Sequence, residues 1–434
     1  MKKINGLPVP HFKNTAGYAP DKIPTPSEVR LPMSMHSGKP ANPIVKAGDE
    51  VKVGQLIGEA EGKVSSPVHS SVSGKVKIID THDIITGQKA ASIVIVSDGE
   101  QAVYDDIAPP IITNTETFLE AVGNSGVVGL GGAGYPTAPK LTLREGTNLD
   151  YILINGAECE PYITSDTRTM VDQTDYVFEG AQMLKEYIGP KEVIIGIENN
   201  KPEAIQKLNA LCQGIAGISV HELPSLYPQG ERKVLVYNIT GRIVPEGARL
   251  TDVGCIVVNC TTVSVFAEYI KTGMPLVSRC VTVDGSAVKN PKNVIAPIGS
   301  PIRDLFDYCG GLNDDVQKII LGGPMMGAAV PNTDVPVVKV TNAILALSAK
   351  DAAPAKVSPC IKCGRCISKC PMNLMPSHIE EAYELKKTDV LKALKLNMCA
   401  ECACCSYLCP AKRPLAQVMT LSKKMLWESG RSST

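Results

Sequence analysis

The sequence YILINGAECEPYITSD, residues 151–166, joins a short buried strand directly to a polar, acidic segment. The helix TETFLEAVGNSG (115–126) precedes this stretch. Two further helices and a second strand follow it: DYVFEGAQMLKEYIG (175–189), KEVIIGIE (191–198) and KPEAIQKLNALC (201–212). Strands that alternate with helices indicate a mostly parallel sheet covered by helices. We therefore predict an α/β domain over residues 113–265.

The polar segment lies where such a sheet binds ligands. Asn155, Glu158 and Glu160 follow the strand immediately, and open α/β sheets bind ligands at the carboxyl ends of their strands. Carboxylates there can accept hydrogen bonds from ribityl or ribose hydroxyls. The alternative is an acidic loop that is simply solvated.

A glycine-rich stretch, GVVGLGGAGYPTAPK, occupies residues 126–140. Gly129, Gly131, Gly132 and Gly134 allow the backbone to pass close to a ligand and to offer N–H groups to an anion. Glycines alone are a weak signal, so an ordinary surface loop is the alternative.

Two other regions have the texture of β structure. Residues 1–35 form a proline-rich, extended arm, and residues 43–80 alternate short Val- and Ile-rich pieces with Gly-containing turns, which predicts compact antiparallel strands. This part resembles the biotinyl/lipoyl type of barrel-sandwich domain. Lys63 lies near the position of that family's cofactor-bearing lysine, but we expect an unmodified structural module. A further β-rich segment is predicted over residues 254–327.

The most specific pattern is a pair of cysteine runs, CIKCGRCISKCP (360–371) and CAECACCSYLCP (399–410). Both contain C-x2-C-x2-C-x3-C-P, in which the fourth cysteine ligates the other cluster of a two-cluster ferredoxin. We therefore predict two [4Fe–4S] clusters with crossed ligation. The first is assigned Cys360, Cys363, Cys366 and Cys409, and the second is assigned Cys399, Cys402, Cys405 and Cys370. Zinc sites with four thiolate ligands are the alternative.

The other cysteines have no place in this scheme. Cys404 is surplus to the second run, and we expect it to pack, or less readily to serve as a substitute ligand. Six more are scattered along the chain, and we expect most of them in or near the core, because free cysteine behaves as a small hydrophobe. They are Cys159, Cys212, Cys255, Cys260, Cys280 and Cys309.

Composition excludes some classes of function. The 434 residues include 44 Lys and Arg and 44 Asp and Glu, so bulk charge favours neither a nucleic acid nor an acidic membrane as partner. The N-terminus has no apolar stretch typical of a signal peptide, and no run is long enough to span a membrane. We expect a cytoplasmic protein that reaches a membrane only through a partner.

Several motifs together resemble a known family. GLGGAGYPTAPK and NGAECEP are similar to the flavin loop and acidic motif of the FMN-bearing, NADH-oxidising subunit of respiratory complex I. They resemble the RnfC family of the Rnf electron-transport complex still more closely. That resemblance extends over nearly the whole chain, through YPQGE (227–231), LGGPMMG (321–327) and both cysteine runs.

The resemblance implies specific roles for residues. FMN would lie against Gly131, Gly132 and Gly134, with Lys140 near its phosphate, and Asn155, Glu158 and Glu160 would contact flavin or nucleotide. Tyr227 and Glu231 belong to the nucleotide motif, with Glu231 near the nicotinamide nucleotide. Asn259 and Thr262 match a phosphate-side motif. No side chain is implied as a catalytic acid or base.

The resemblance also implies an architecture and an activity. The expected fold is multidomain α/β: an arm with a barrel-sandwich hybrid domain (1–112), the FMN- and NADH-binding domain (113–265), a β-grasp (SLBB) domain (266–348) and a helical two-cluster ferredoxin-like domain (349–434). The implied function is electron transfer among NAD(H), FMN and two [4Fe–4S] clusters in an ion-translocating ferredoxin:NAD+ oxidoreductase.

The implied partners are other Rnf subunits, namely the membrane subunits and the ferredoxin-like one, at the cytoplasmic side of the membrane. One alternative is a soluble flavin and iron–sulfur reductase that serves a catabolic pathway such as cobalamin or proline reduction. Another is a non-catalytic adaptor that only relays electrons or docks a partner.

Overall fold

A computed structural model describes residues 6–83 and 89–431. In the N-terminal region, β2, β8, β7 and β4 form one antiparallel sheet and β3, β5 and β6 form a second. The antiparallel β structure predicted for residues 43–80 is therefore confirmed. Lys63 lies on an exposed turn between β5 and β6. The strands are β1 (Asp21–Lys22), β2 (Glu28–Pro32), β3 (Asn42–Pro43), β4 (Glu50–Val51), β5 (Leu56–Glu59), β6 (Val68–His69), β7 (Gly74–Asp83) and β8 (Lys89–Ser97).

The next region is a four-stranded, wholly parallel sheet in the order β11-β10-β9-β12, with helices against it. This confirms the sheet type predicted from the alternation of strands and helices. Its helices are α1 (Thr115–Asn124), α2 (Thr137–Leu141), α3 (Ser165–Asp172), α4 (Thr174–Met183), α5 (Pro202–Cys212), α6 (Arg232–Thr240) and α7 (Cys260–Thr272). Its strands are β9 (Tyr151–Gly156), β10 (Glu192–Glu198), β11 (Ile218–Leu223) and β12 (Cys255–Asn259).

One sequence prediction is wrong at α7, which lies inside the segment predicted to be β-rich. The β-branched residues of this stretch favour strands. However, Asn259 caps a helix by accepting from the Thr262 N–H, and Val263, Phe266 and Ala267 bury one helical face. Gly273 then ends the helix in the left-handed conformation, at φ +78°. Capping and helical spacing together outweigh the local preference.

The third region is a six-stranded mixed sheet in the order β1-β14-β13-β17-β15-β16, with one helix packed on it. Its edge strand β1 comes from the N-terminal arm and pairs in parallel with β14, so the arm belongs structurally to this sheet. The elements are β13 (Ser278–Asp284), β14 (Lys292–Pro297), α8 (Ile302–Tyr308), β15 (Val316–Leu321), β16 (Ala328–Val330) and β17 (Ala343–Ser348).

The C-terminal region is helical and carries both cysteine runs in its connecting loops. The helices are α9 (Ala349–Ala352), α10 (Arg365–Ser368), α11 (Pro376–Glu384), α12 (Thr388–Ala393), α13 (Cys404–Leu408) and α14 (Leu415–Arg431). A small apolar core of its own, including Ile379, Leu391 and Met419, holds these helices together. No helix in the described part of the chain is long and apolar enough to cross a membrane.

Candidate cofactor sites

The glycine-rich loop closes on itself and presents its tip to solvent. The Gly129 N–H donates to the Tyr135 carbonyl (2.9 Å), and the Gly134 N–H donates to the Gly129 carbonyl (3.1 Å). The tip, residues 131–133, is exposed, and its three backbone N–H groups donate no hydrogen bond to any described residue. Adjacent unpaired N–H groups of this kind suit an anion.

The loop is backed by protein on one side and open on the other. At Gly134, φ is +61°, and a Cβ would lie 3.0 Å from Val340 Cγ1, so glycine is required there. A Cβ at Gly131 would lie 3.1 Å from Asn259 Nδ2. At Gly132 a Cβ would meet no atom within 4 Å, so the chain faces open space. A ligand can therefore approach the backbone from that side.

The start of α7 holds the loop from behind. Thr262 Oγ1 accepts from the Leu130 N–H (2.9 Å) and donates to the Val128 carbonyl (3.0 Å). Asn259 Nδ2 donates to Asp166 Oδ2 (2.7 Å). The structure thus brings Asn259 and Thr262 to the loop, but their polar atoms are used to position it.

Two cations lie beside the site without a carboxylate partner. Lys140 is on α2, the short helix that follows the loop, and burial together with the nearby Arg232 lowers the pKa of its ammonium group to about 8. Among the described residues, neither Lys140 nor Arg232 forms an ion pair or a hydrogen bond through its side chain. Two uncompensated positive charges favour a bound anion such as a phosphate. Sequence reasoning missed Arg232, because only the fold brings α6 beside α2.

Asn155 connects the strand end to the YPQGE motif. Its Nδ2 donates to the Gly230 carbonyl (2.9 Å), and its Oδ1 accepts from the Ala157 N–H (3.1 Å). The Gly230 N–H points to Cys159 Sγ, 3.4 Å away. The structure therefore places the acidic segment and the YPQGE motif side by side.

The two glutamates of the acidic segment already have protein donors. Glu158 accepts from the N–H groups of Asp166 (2.7 Å) and Thr167 (3.2 Å), at the start of α3. Glu160 accepts from the N–H groups of Met325 (3.0 Å) and Met326 (2.9 Å). Burial raises the pKa of each carboxyl to about 7. These contacts argue against a freely solvated acidic loop, and they give Glu158 and Glu160 a share in shaping the site.

Lys13 of the N-terminal arm locks the same segment. Its Nζ donates to the carbonyls of Glu158 (2.8 Å), Glu160 (2.9 Å) and Ile163 (2.5 Å). Beside it, the ring of Phe12 stacks on Tyr162, with 4.9 Å between the centroids. Sequence reasoning missed Lys13, since an isolated lysine in a proline-rich arm carries no signal of a contact about 150 residues away.

The YPQGE motif has two structural roles. Glu231 caps α6 by accepting from the N–H groups of Lys233 (2.7 Å) and Val234 (2.9 Å), and burial raises its pKa. Tyr227 is 1% exposed, and its hydroxyl donates to the Cys402 carbonyl (2.8 Å). Tyr227 thus joins the nucleotide motif to the second cysteine run.

The second set of cysteines surrounds one cavity. Cys399, Cys402 and Cys405 line it together with Cys370, which comes from the other run. The pairing of Cys370 with the second run is the arrangement that crossed ligation requires, and the donor set of four thiols suits an iron–sulfur cluster. The computed model carries no cofactor, and within the described residues no three Cys, His, Asp or Glu side chains converge as they would around a single metal ion.

The first set lies further out. Cys360 and Cys363 are exposed, whereas Cys366 packs with Cys409 and Leu415 in a small apolar cluster. Cys409, the last cysteine of the second run, is therefore beside the first run. Both crossed partners, Cys370 and Cys409, are where the sequence assignment needs them, although the assignment itself stays a prediction.

Cys404 is buried and lines the cavity of the second set. It packs with Leu7, Val9, Tyr227 and Cys402 where the arm, the nucleotide motif and the cysteine domain meet. This burial agrees with the packing role expected from sequence. The six scattered cysteines are buried or partly buried, which confirms that expectation too.

Three segments match known family models. Residues 2–100 match the RnfC barrel sandwich hybrid domain, residues 122–268 match the Nuo51 FMN-binding domain, and residues 280–329 match the SLBB domain. The order agrees with the predicted multidomain fold.

Whole-chain relatives lead to the same family. The RnfC-type subunit of the Na+-translocating ferredoxin:NAD+ oxidoreductase complex of Acetobacterium woodii is 42% identical over 82% of this chain and 81% of its own length. Its counterpart in the proton-translocating complex of Clostridium ljungdahlii is 39% identical over 84% of this chain and 80% of its own. A chain of an NAD+-reducing [NiFe]-hydrogenase aligns over 64% of this chain and 54% of its own, at 18% identity and a TM-score of 0.49. The chain belongs to the RnfC family, the family of these subunits of the ion-translocating ferredoxin:NAD+ oxidoreductase (Rnf) complexes.

Proposed function

We propose that this chain is the NAD(H)- and FMN-binding electron-transfer subunit of an ion-translocating ferredoxin:NAD+ oxidoreductase complex. The observation that carries the proposal is the exposed loop tip, residues 131–133, with its unpaired N–H groups beside the uncompensated cations Lys140 and Arg232. Family membership and the matched FMN-binding domain support the same function.

When bound, FMN converts a two-electron hydride exchange with NAD(H) into single electrons, which iron–sulfur clusters carry one at a time. The chain's own residues bind and orient. Lys140, Arg232 and the loop N–H groups would hold the phosphate, and Gly132 leaves room for the approach. Asn155 fixes the neighbouring YPQGE motif. No general acid or base is needed, so the proposal assigns no catalytic side chain.

The contacts of the second cysteine run support an order for the metal centres. Tyr227 and Cys159 belong to the nucleotide side, and both pack with Cys402 and Cys404. We place the second set as the inner centre, next to the flavin domain. The first set, which includes the exposed Cys360 and Cys363, is then the outer centre.

The subunit would attach at the cytoplasmic side of the membrane through the other subunits of the complex. The relatives are named as subunits of such complexes, which favours this assembly over a soluble catabolic reductase. Among its partners we propose the membrane subunits and the ferredoxin-like one.

Anaerobically purified, FMN-loaded protein tests the function directly. NADH should reduce the neutral quinone menadione, and Lys140→Met and Arg232→Met should each weaken FMN binding about tenfold, the equivalent of about 1.4 kcal/mol. Lys318→Met, which removes an exposed lysine on β15, serves as the control. Full FMN and iron content without any oxidation of NADH would refute the proposal and favour a non-catalytic adaptor.

A further inference from the structure

Positive charge is concentrated in the cysteine-containing domain. Fourteen Lys and Arg but only seven Asp and Glu lie between positions 349 and 434, in a chain whose formal net charge is zero. No acidic residue occurs between Asp351 and Glu380, the stretch that contains the whole first run. The excess charge is therefore local to the outer centre.

Five cations surround the outer centre, and we call them the basic rim. All five side chains are exposed: Lys356, Lys362, Arg365, Lys369 and Lys412. The Ser358 N–H donates to the Ala411 carbonyl (3.0 Å), which brings the segment before the first run beside the segment after the second. Residues distant in sequence thus contribute to one face.

The basic rim is not neutralised within the protein. The ion pairs of this domain use Arg413 with Glu380 and Glu384, and Lys423 with Glu401. Within the described ranges, no member of the rim has an ion-pair partner. Val357 (51% exposed) and Ile361 (67% exposed) lie among these cations. An apolar centre with a charged edge is the usual composition of a protein docking surface.

The exposed thiols decide what kind of partner fits. Cys360 and Cys363 lie inside the rim, so whatever docks there comes close to the outer centre. We propose that the basic rim is the docking surface for an acidic one-electron redox protein, which exchanges electrons with the chain through the outer centre. The inference rests on the proposed function. Opposite charges would steer the encounter and make its rate fall with salt.

Two redox proteins of opposite charge serve as probes. Rubredoxin is acidic and cytochrome c is basic, and each iron accepts one electron, so one NADH reduces two molecules and releases NAD+ and one proton. In Lys362→Glu, Arg365→Glu, Lys369→Glu the rate with rubredoxin should fall roughly tenfold or more at low ionic strength. The rate with cytochrome c should rise, and the rate with neutral menadione should stay the same.

A matched triple variant controls for charge alone. Lys387→Glu, Lys392→Glu, Lys424→Glu makes the same charge change at exposed positions of α12, α14 and the residue before α12, and it should leave all three rates nearly unchanged. If the first triple variant loses iron, Lys356→Glu, Lys412→Glu carries the test, because both residues lie outside the cysteine runs.

The outcomes separate the two proposals. Unchanged rubredoxin rates and salt dependence in the rim variants, with normal menadione reduction, would overturn the docking surface alone. Equal loss in the matched triple variant would also overturn it. So would a rim variant that loses binding to phosphatidylglycerol vesicles while its rubredoxin rate stays the same, because the rim would then be a membrane contact. Failure of wild-type protein to reduce menadione would instead refute the proposed function.

Discussion

Lys13 shows how much one buried side chain can organise. Its ammonium group donates to three carbonyls of the segment that carries Glu158 and Glu160. Burial lowers its pKa, while the nearby Glu158 opposes that shift. Hydrogen bonds from charged donors are worth more than neutral ones. The arm therefore acts as a clamp on the candidate flavin site.

Replacing Lys13 by Met should destabilise the protein by about 2 kcal/mol or more, because it leaves buried carbonyls without a donor. It should also weaken FMN binding through disorder of the acidic segment. Thermal unfolding and flavin fluorescence measure the two effects. Lys22→Met, at an exposed lysine of the same arm, is the control and should change neither. Equal effects in both variants would contradict the role given to Lys13.

Cys409 and Cys404 make opposite predictions. Cys409→Ser should impair the centre of Cys360, Cys363 and Cys366, since Cys409 packs beside Cys366. Cys404→Ser should keep its full iron content, because Cys404 has no place among the eight ligands. Iron analysis and electron paramagnetic resonance of reduced protein distinguish the centres. Selective loss of the other centre in Cys409→Ser would refute the crossed ligation.

At this scale the sequence predicts residues whose role follows from local spacing. The eight cysteines, the glycines and the strand-end Asn155 are of this kind. Lys13, Arg232 and the contact between Tyr227 and Cys402 depend on chain segments that meet only after folding, and no local pattern indicates them. Likewise, the sequence places Glu158 and Glu160 at the site but does not show that protein N–H groups already bind them.

Among the elements, the glycine loop and α7 work together. The loop depends on Thr262 for its backbone path and on Gly134 for its left-handed turn. Gly134→Ala should weaken FMN binding by about tenfold or more, because the new methyl group meets Val340 while the backbone is strained. Gly146→Ala is the matched control: its φ is also positive (+77°), but a Cβ there would meet nothing within 4 Å. Equal flavin affinity in both variants would contradict this account.

Most elements of the α/β domain follow from periodicity and glycine stops, as at α4 and β10. The helix α7 does not, because its β-branched residues favour a strand until the cap at Asn259 is taken into account. The assignment of β1 to the third sheet was also out of reach, since two residues of an arm carry no periodicity.

Across the whole molecule, one buried junction ties three regions together. Lys339, just before β17, donates to Ser66 Oγ (3.0 Å) and to the carbonyls of Pro67 (2.5 Å) and Gly126 (2.7 Å). His36 and His69 are buried nearby. Burial, aided by the charge of Lys339, lowers the pKa of His36 to about 4 and that of His69 to about 3. Neither ring is therefore charged at neutral pH.

This junction predicts sensitivity to acid. Between pH 6.5 and about 4 the unfolded histidines bind protons and the folded ones do not, so stability is present above pH 6.5 and is lost as the pH falls. Each histidine contributes up to about 1.4 kcal/mol per pH unit. His69→Gln should flatten the fall in thermal midpoint from about pH 6.5 to 5, whereas His378→Gln, at an exposed position, should not. Parallel curves for wild type and His69→Gln would contradict the prediction.

At the same scale, one chain should combine a flavin with two interlocked iron–sulfur centres. The most direct test is an anaerobic reductive titration of the FMN-loaded protein, with metal analysis of the same sample. We predict about eight irons and an uptake of about four electrons per chain, two for FMN and one for each cluster. Zinc in place of iron, with an uptake of about two electrons, would contradict this combination.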